Sequence, residues 1–152
     1  MTEVAIPVEG ACMCGQSRMR VSVAPIITMA CHCRGCQQMS GSAFSLTALV
    51  PVEGFEMIKG TPQVGALHRE HKYMYCPYCL NWLYTAPAGM PFVNIRPVHF
   101  NVPQWSIPFA ETMAIEMLPW ANTPARHKFD RYPPPDQYGP LMAEYAAWRE
   151  TQ

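Results

Sequence analysis

Seven cysteines fall at three stations and nowhere else: Cys12-Met13-Cys14, Cys31-His32-Cys33-Arg34-Gly35-Cys36 and Cys76-Pro77-Tyr78-Cys79. Close pairs and a close triplet suit metal coordination better than disulfides, because a CxC or CxxC turn converges its sulfurs on one point. The simplest combination gives Cys12, Cys14, Cys76 and Cys79 to one tetrahedral zinc, a closed structural site that staples two distant parts of the chain. Cys31, Cys33 and Cys36 then hold a second zinc through three thiolates, with the fourth position open to water or a substrate sulfur. These three are the candidate catalytic residues. The rival for the triplet is a second closed site completed by a carboxylate or by His32, His68, His71 or His99. His32 is the poorest of these, since between two ligands in an extended turn it should point away from them. A redox dithiol is weaker still, because no βαβ pattern accompanies the CxxC.

Around the triplet, Arg34 stands between ligands, where a guanidinium would attract an anionic substrate, and the backbone near Gly41 and Ser42 follows closely enough to help hold a carboxylated thiol. No acid, base or nucleophile constellation competes with the cysteines, and no Gly-rich phosphate loop is present. The 11 methionines are scattered and read as core filling. Trp82, Trp105, Trp120 and Trp148 are expected to pack on sheets or on a partner subunit of a homo-oligomer.

The elements that must carry these stations are short. With 16 prolines and nine glycines spread along 152 residues, long helices are disfavoured over most of the chain. Strands are expected at 18–23, 44–50, 73–75, 92–96 and 112–117, with turns at 51–54, 59–62 and 87–89. Gly10 and Gly15 flank the first station, Gly35 lies inside the second and Pro77 inside the third, so each station reads as a turn that exposes sulfur. After the stiff Pro133-Pro134-Pro135, apolar residues from Leu141 to Trp148 recur at helical spacing. The expected fold class is mainly β with a short C-terminal helix. Residues 1–125 form the cysteine-bearing domain and 126–152 a tail packed on it.

With 49% apolar residues the chain can bury a real core, and at 14% charged with equal acids and bases it lacks the footprint of a nucleic-acid binder. No basic leader or membrane-length apolar run is seen, and odd-numbered, clustered cysteines fit a reducing compartment. The expectation is a cytoplasmic protein with no nucleic-acid or membrane partner.

Taken together, Gly10-Ala11-Cys12-Met13-Cys14-Gly15, the triplet followed by Ser40-Gly41-Ser42, Cys76-Pro77-Tyr78-Cys79 and the downstream Leu118-Pro119-Trp120-Ala121 resemble the glutathione-dependent formaldehyde-activating enzyme family. The resemblance implies a β-tent fold of small antiparallel sheets around a structural zinc on Cys12, Cys14, Cys76 and Cys79. It also implies a catalytic zinc on Cys31, Cys33 and Cys36, and addition of glutathione to formaldehyde to give S-hydroxymethylglutathione, in reverse a carbon-sulfur lyase reaction. Two departures stand out: Leu80-Asn81 follows the last pair where the family has Gly and a small hydroxyl residue, and His99-Phe100-Asn101 replaces an acidic pair. The alternative function is a non-catalytic zinc module that binds a protein partner. An open metal position favours the enzyme, because a binding module gains nothing from it.

Overall fold

The computed structural model describes residues 4–66 and 69–152. His68, one of the candidate closing ligands, lies outside them.

Alternation builds the smaller sheet. In β2 (Arg18–Val21) the apolar Met19 and Val21 are buried while Arg18 faces out. It pairs antiparallel with β1 (Val8–Ala11) on one side and β5 (Phe55–Lys59) on the other, in the order β1-β2-β5. Glu9 bridges Arg18 at 2.9 Å and Arg20 at 2.8 Å across the outer face. These pairs are exposed and tune the surface more than they hold the sheet.

The second sheet has eight strands. Its centre is β4 (Ser45–Pro51), whose Thr47 to Val50 are all buried, as expected of a strand covered on both faces. Beside it run β3 (Ile27–Cys31) and β9 (Phe92–Ile95), then β8 (Trp82–Ala86), β7 (Lys72–Tyr75) and β6 (Gln63–Gly65), all antiparallel. Only β10 (Ala110–Thr112) departs, pairing parallel with both β3 and β11 (His127–Lys128).

One apolar core joins the two sheets through Met19, Val21, Ala48, Val50, Leu83, Val93 and Ile95. A second core lies under the tail: Leu141 and Tyr145 of α2 (Tyr138–Arg149) are buried with Ile27, Leu49 and Phe109. Burying each large apolar side chain there stabilises by about 1.5–3 kcal/mol, enough to dock the helix.

Two expectations about elements are corrected. The strand expected at 112–117 stops at Thr112, because Met113 takes a left-handed backbone at φ 56° and 114–116 forms a 3₁₀ turn. That turn is fixed by amides of Met113, Ala114 and Ile115 donating to carbonyls of Arg131, Phe129 and Asp130. The triplet, expected in a turn, instead runs into a seven-residue helix, α1 (Arg34–Ser40), which Gly41 ends with a left-handed cap.

Candidate metal and thiol site

The first station closes a tight turn between β1 and β2, in which Gly15 sits at φ 72° and donates to the Cys12 carbonyl. Gly10 lies within β1, not in the turn. A Cβ there would come within 2.6 Å of the His99 carbonyl oxygen and 2.7 Å of the Phe100 ring, so only glycine lets the strand pass. The third station follows β7 and is closed by the Leu80 N–H donating to the Cys76 carbonyl.

These turns bring four sulfurs together, all within 4.8 Å of one another. Cys12 and Cys14 Sγ are 3.3 Å apart, and Cys14 and Cys76 Sγ 3.7 Å. Tetrahedral zinc with Zn–S near 2.3 Å needs sulfurs about 3.8 Å apart, so the donor set fits. Backbone N–H groups face the sulfurs: Ser17 donates to Cys12 and Gln16 to Cys14, each at 3.4 Å. Burial pushes the Cys76 thiol up, but the Ser17 hydroxyl and the Cys79 and Tyr78 amides outweigh it and bring its pKa to about 6. Leu80 ends this station at φ 58°, the conformation glycine adopts without penalty.

The triplet is built differently. Cys31 ends β3, in register with Ser45 of β4 and Thr112 of β10. Cys33 is the N-cap of α1, its sulfur accepting from the Cys36 N–H at 3.3 Å. The helix buries none of its own residues and is held by polar ties. The Gln37 amide donates to the carbonyls of His32 at 2.7 Å and Glu116 at 3.0 Å, and the Glu116 carboxylate accepts the Arg34 N–H at 2.6 Å. The three sulfurs again lie within 4.8 Å of one another. Thiol hydrogen bonds from Cys33 and Cys36 hold Cys31 well below the ordinary thiol range, and the same contacts push Cys36 up.

Among the described residues no histidine or carboxylate joins the triplet as a fourth ligand. His32 is 0% exposed and turns away, its Nε2 3.2 Å from Oε1 of the equally buried Glu111. His71 Nδ1 accepts from the Ala88 N–H, and His99 Nε2 lies 2.8 Å from the Trp82 carbonyl oxygen.

Other side chains close in on the triplet that spacing alone does not single out. Buried Thr112 of β10 and Ser45 of β4 flank the triplet, each in register with Cys31. Tyr73 is raised by burial and by the charges of Cys36 and Cys33. Tyr132 follows Arg131, whose carbonyl accepts from Met113, and so stands beside Thr112 and Cys31. Tyr132 is 58% exposed; partial burial of its phenol, then the charges of all three cysteines, push its pKa above the usual range. On the outer side of α1, Arg34, Gln37, Gly41, Ser42, Leu118 and Trp120 line an open pocket. Trp120, expected to pack on a sheet or on a partner subunit, does not pack on the sheets and stands 72% exposed at the pocket's rim.

A family model described as glutathione-dependent formaldehyde-activating enzyme matches residues 7–112, which include all seven cysteines. The chain belongs to that family. In fold it resembles the crystal structure of a Rhodobacter sphaeroides protein solved as a structural-genomics target, at 16% identity and a TM-score of 0.50 over 61% of this chain and 87% of the other. No curated protein matches the sequence. The family match ends at Thr112, so Glu116, Trp120 and Tyr132 reach the site from outside it. Among the described residues no helix is long and apolar enough to cross a membrane.

Proposed function

We propose that the protein forms or cleaves thiol-aldehyde adducts at a zinc held by Cys31, Cys33 and Cys36, while a second zinc on Cys12, Cys14, Cys76 and Cys79 is structural. The observation that carries this reading is three sulfurs converging from one six-residue segment without a fourth described ligand. Zinc on such a donor set supplies a Lewis-acidic position that takes a soft fourth ligand and keeps a thiol as thiolate near neutral pH. The family description names glutathione and formaldehyde; on this reading the reverse reaction is a carbon-sulfur lyase reaction.

The chain's own groups have roles that follow from their places. Arg34 and the Gly41-Ser42 backbone line the adjoining pocket, where a carboxylated thiol can be held by charge and backbone N–H donors. As the thiolate sulfur bonds to the carbonyl carbon, the carbonyl oxygen gains charge and must take a proton. Tyr132, a phenol and so protonated at neutral pH, is a donor to that oxygen. Cleavage runs the same step backwards from the phenolate, which takes the hydroxyl proton as the carbon-sulfur bond breaks, and Tyr132 exchanges that proton with water between turnovers. In this reading residues 126–152 work as one unit with 1–125, because the tail carries Tyr132. The setting is the cytoplasm, where glutathione is reduced and abundant.

Cobalt substitution tests the reading. Glutathione added to cobalt-loaded protein is expected to raise the sulfur-to-cobalt charge-transfer absorption, and Cys33→Ser to abolish the response. Formaldehyde exchange followed by NMR on the same samples separates an enzyme from a binder. An unchanged spectrum with several small thiols, in a filled site, contradicts the enzymatic reading and leaves a binding module.

A further inference from the structure

Arg96 directly follows β9 and is 6% exposed. Its guanidinium carbon lies 4.0 Å from the centroid of the Trp82 ring, an Nη donates to the Asn94 carbonyl at 3.1 Å, and Nε has no partner. Among the described residues no Asp or Glu forms an ion pair with it. A guanidinium cannot shed its proton to escape burial, so a buried one without a counter-charge is strongly unfavourable. Cation–π contact with Trp82 offsets only part of that.

The sheet register locates the missing negative charge. Paired residues on neighbouring strands share a face, as do residues two apart on one strand. Cys31 pairs with Ser45, Thr47 lies two residues on, and the pairing of Ala48 with Ile95 sets Arg96 beside Thr47. The guanidinium and the triplet therefore project from one face of the large sheet. Burial lowers the Arg96 pKa to about 10, and the groups opposing that most are Cys36 and then Cys31. Both observations set Arg96 on the side of Cys31 and Cys36.

We infer that Arg96 is the counter-charge of the three-cysteine centre and biases it toward an anionic thiolate as fourth ligand over a neutral one. The inference rests on the reading of the triplet as a metal centre. Three thiolates around a divalent ion leave one net negative charge, and a fourth thiolate makes two. Repulsion would normally favour a neutral fourth ligand such as imidazole, and a fixed cation on the same face reverses that preference. Arg96 does this as a positioning residue, through its field, without touching the substrate.

The test compares two probes on cobalt-loaded protein, 2-mercaptoethanol as the anionic ligand and imidazole as the neutral one, each titrated by visible absorption. Arg96→Met is expected to weaken thiol binding roughly tenfold while leaving imidazole binding within about twofold. Arg96→Lys, which keeps the charge, should stay nearer wild type. Equal losses for both probes would mark a merely structural residue and overturn the inference, as would no change for either. Should Arg96→Met fail to fold, Arg96→Gln is titrated in its place with the same two probes, a thiol-selective loss being expected and equal losses or no change overturning the inference. Cobalt absent from the wild-type triplet would instead overturn the metal reading itself, and the inference with it.

Discussion

Cys14 and Cys76 meet across 62 positions of sequence, and the four-sulfur cluster they belong to ties a turn of the small sheet to a turn of the large one. Cys31, Cys33 and Cys36 lie within a single segment, half-buried, at a strand end and the first turn of a helix. Each cluster has a sulfur set of the right size for zinc, yet their mechanical roles differ. A metal that closes a long loop contributes directly to folding, whereas one held by a local segment changes little else when it leaves. The same difference separates a closed site from one with a position to spare.

Breaking the long-range cluster has the largest expected effect. On the proposed structural-zinc reading, Cys76→Ser leaves the remaining three thiolates with an incomplete site, and stability should fall by about 5 kcal/mol or more, lowering the melting temperature by at least ~10 °C. Zinc content and a thermal melt check this, and a variant that kept metal in this site and melted like wild type would contradict the comparison.

On the triplet side the fold is held instead by the buried Glu111. Its carboxylate accepts from the Thr123 N–H at 3.2 Å, pairs with Lys128 at 3.2 Å and faces His32, the residue between two of the cysteines. An ionised carboxylate only accepts, so Nε2 of His32 is the donor there. Burial raises the Glu111 pKa, but Thr123, Lys128 and His32 outweigh it and set it below the ordinary carboxylate value. Glu111→Gln should cost about 2–4 kcal/mol at neutral pH, because it strands buried partners. A depressed folded pKa means the carboxylate stabilises above its unfolded value and loses that effect as pH falls through the folded one. The gap between wild type and variant should therefore narrow below about pH 4, which denaturant melts across pH would reveal.

Tyr132→Phe sharpens the contrast at the level of chemistry. It removes one donor and should slow formaldehyde exchange roughly tenfold to a hundredfold, with thiol binding to the cobalt site retained. Loss of thiol binding as well would assign the phenol to the site's architecture instead. The smallest effect falls on the four-sulfur side. Leu80 holds a left-handed backbone that costs about 1–2 kcal/mol, while glycine gives back roughly 0.5–1 kcal/mol in chain entropy. Leu80→Gly should thus raise the melting temperature by a few degrees, and a fall would show that the exposed leucine packs in a way its geometry does not suggest.

Clusters of like residues were the legible part of this molecule. CxC and CxxC spacing has a local geometric meaning, so both sulfur sets could be drawn before any strand was placed, and alternation in Arg18 to Val21 or the turn chemistry of Gly60 and Gly89 served the sheets equally well. Residues that meet the triplet through tertiary structure left no such trace. Arg96 reads as the end of a strand and Tyr132 as part of a proline-rich tail. Each acquires meaning only through register, in one case β4 against β9, in the other the 129–131 segment against 113–115. Helix α1 was hidden because it buries nothing of its own, so no apolar period marks it. The continuation of β10 past Thr112 failed for the opposite reason: the pattern suits a strand, but Met113 turns the chain so that its amides meet the tail.

The contrast between a closed and an open centre is tested most directly by graded chelation of the zinc-loaded protein, with metal release and far-UV circular dichroism followed together. Two equivalents of zinc per chain are predicted. One should leave at low chelator concentration with the spectrum unchanged, the other only as the β structure is lost. A single equivalent per chain, or two that depart together with unfolding, would contradict the account.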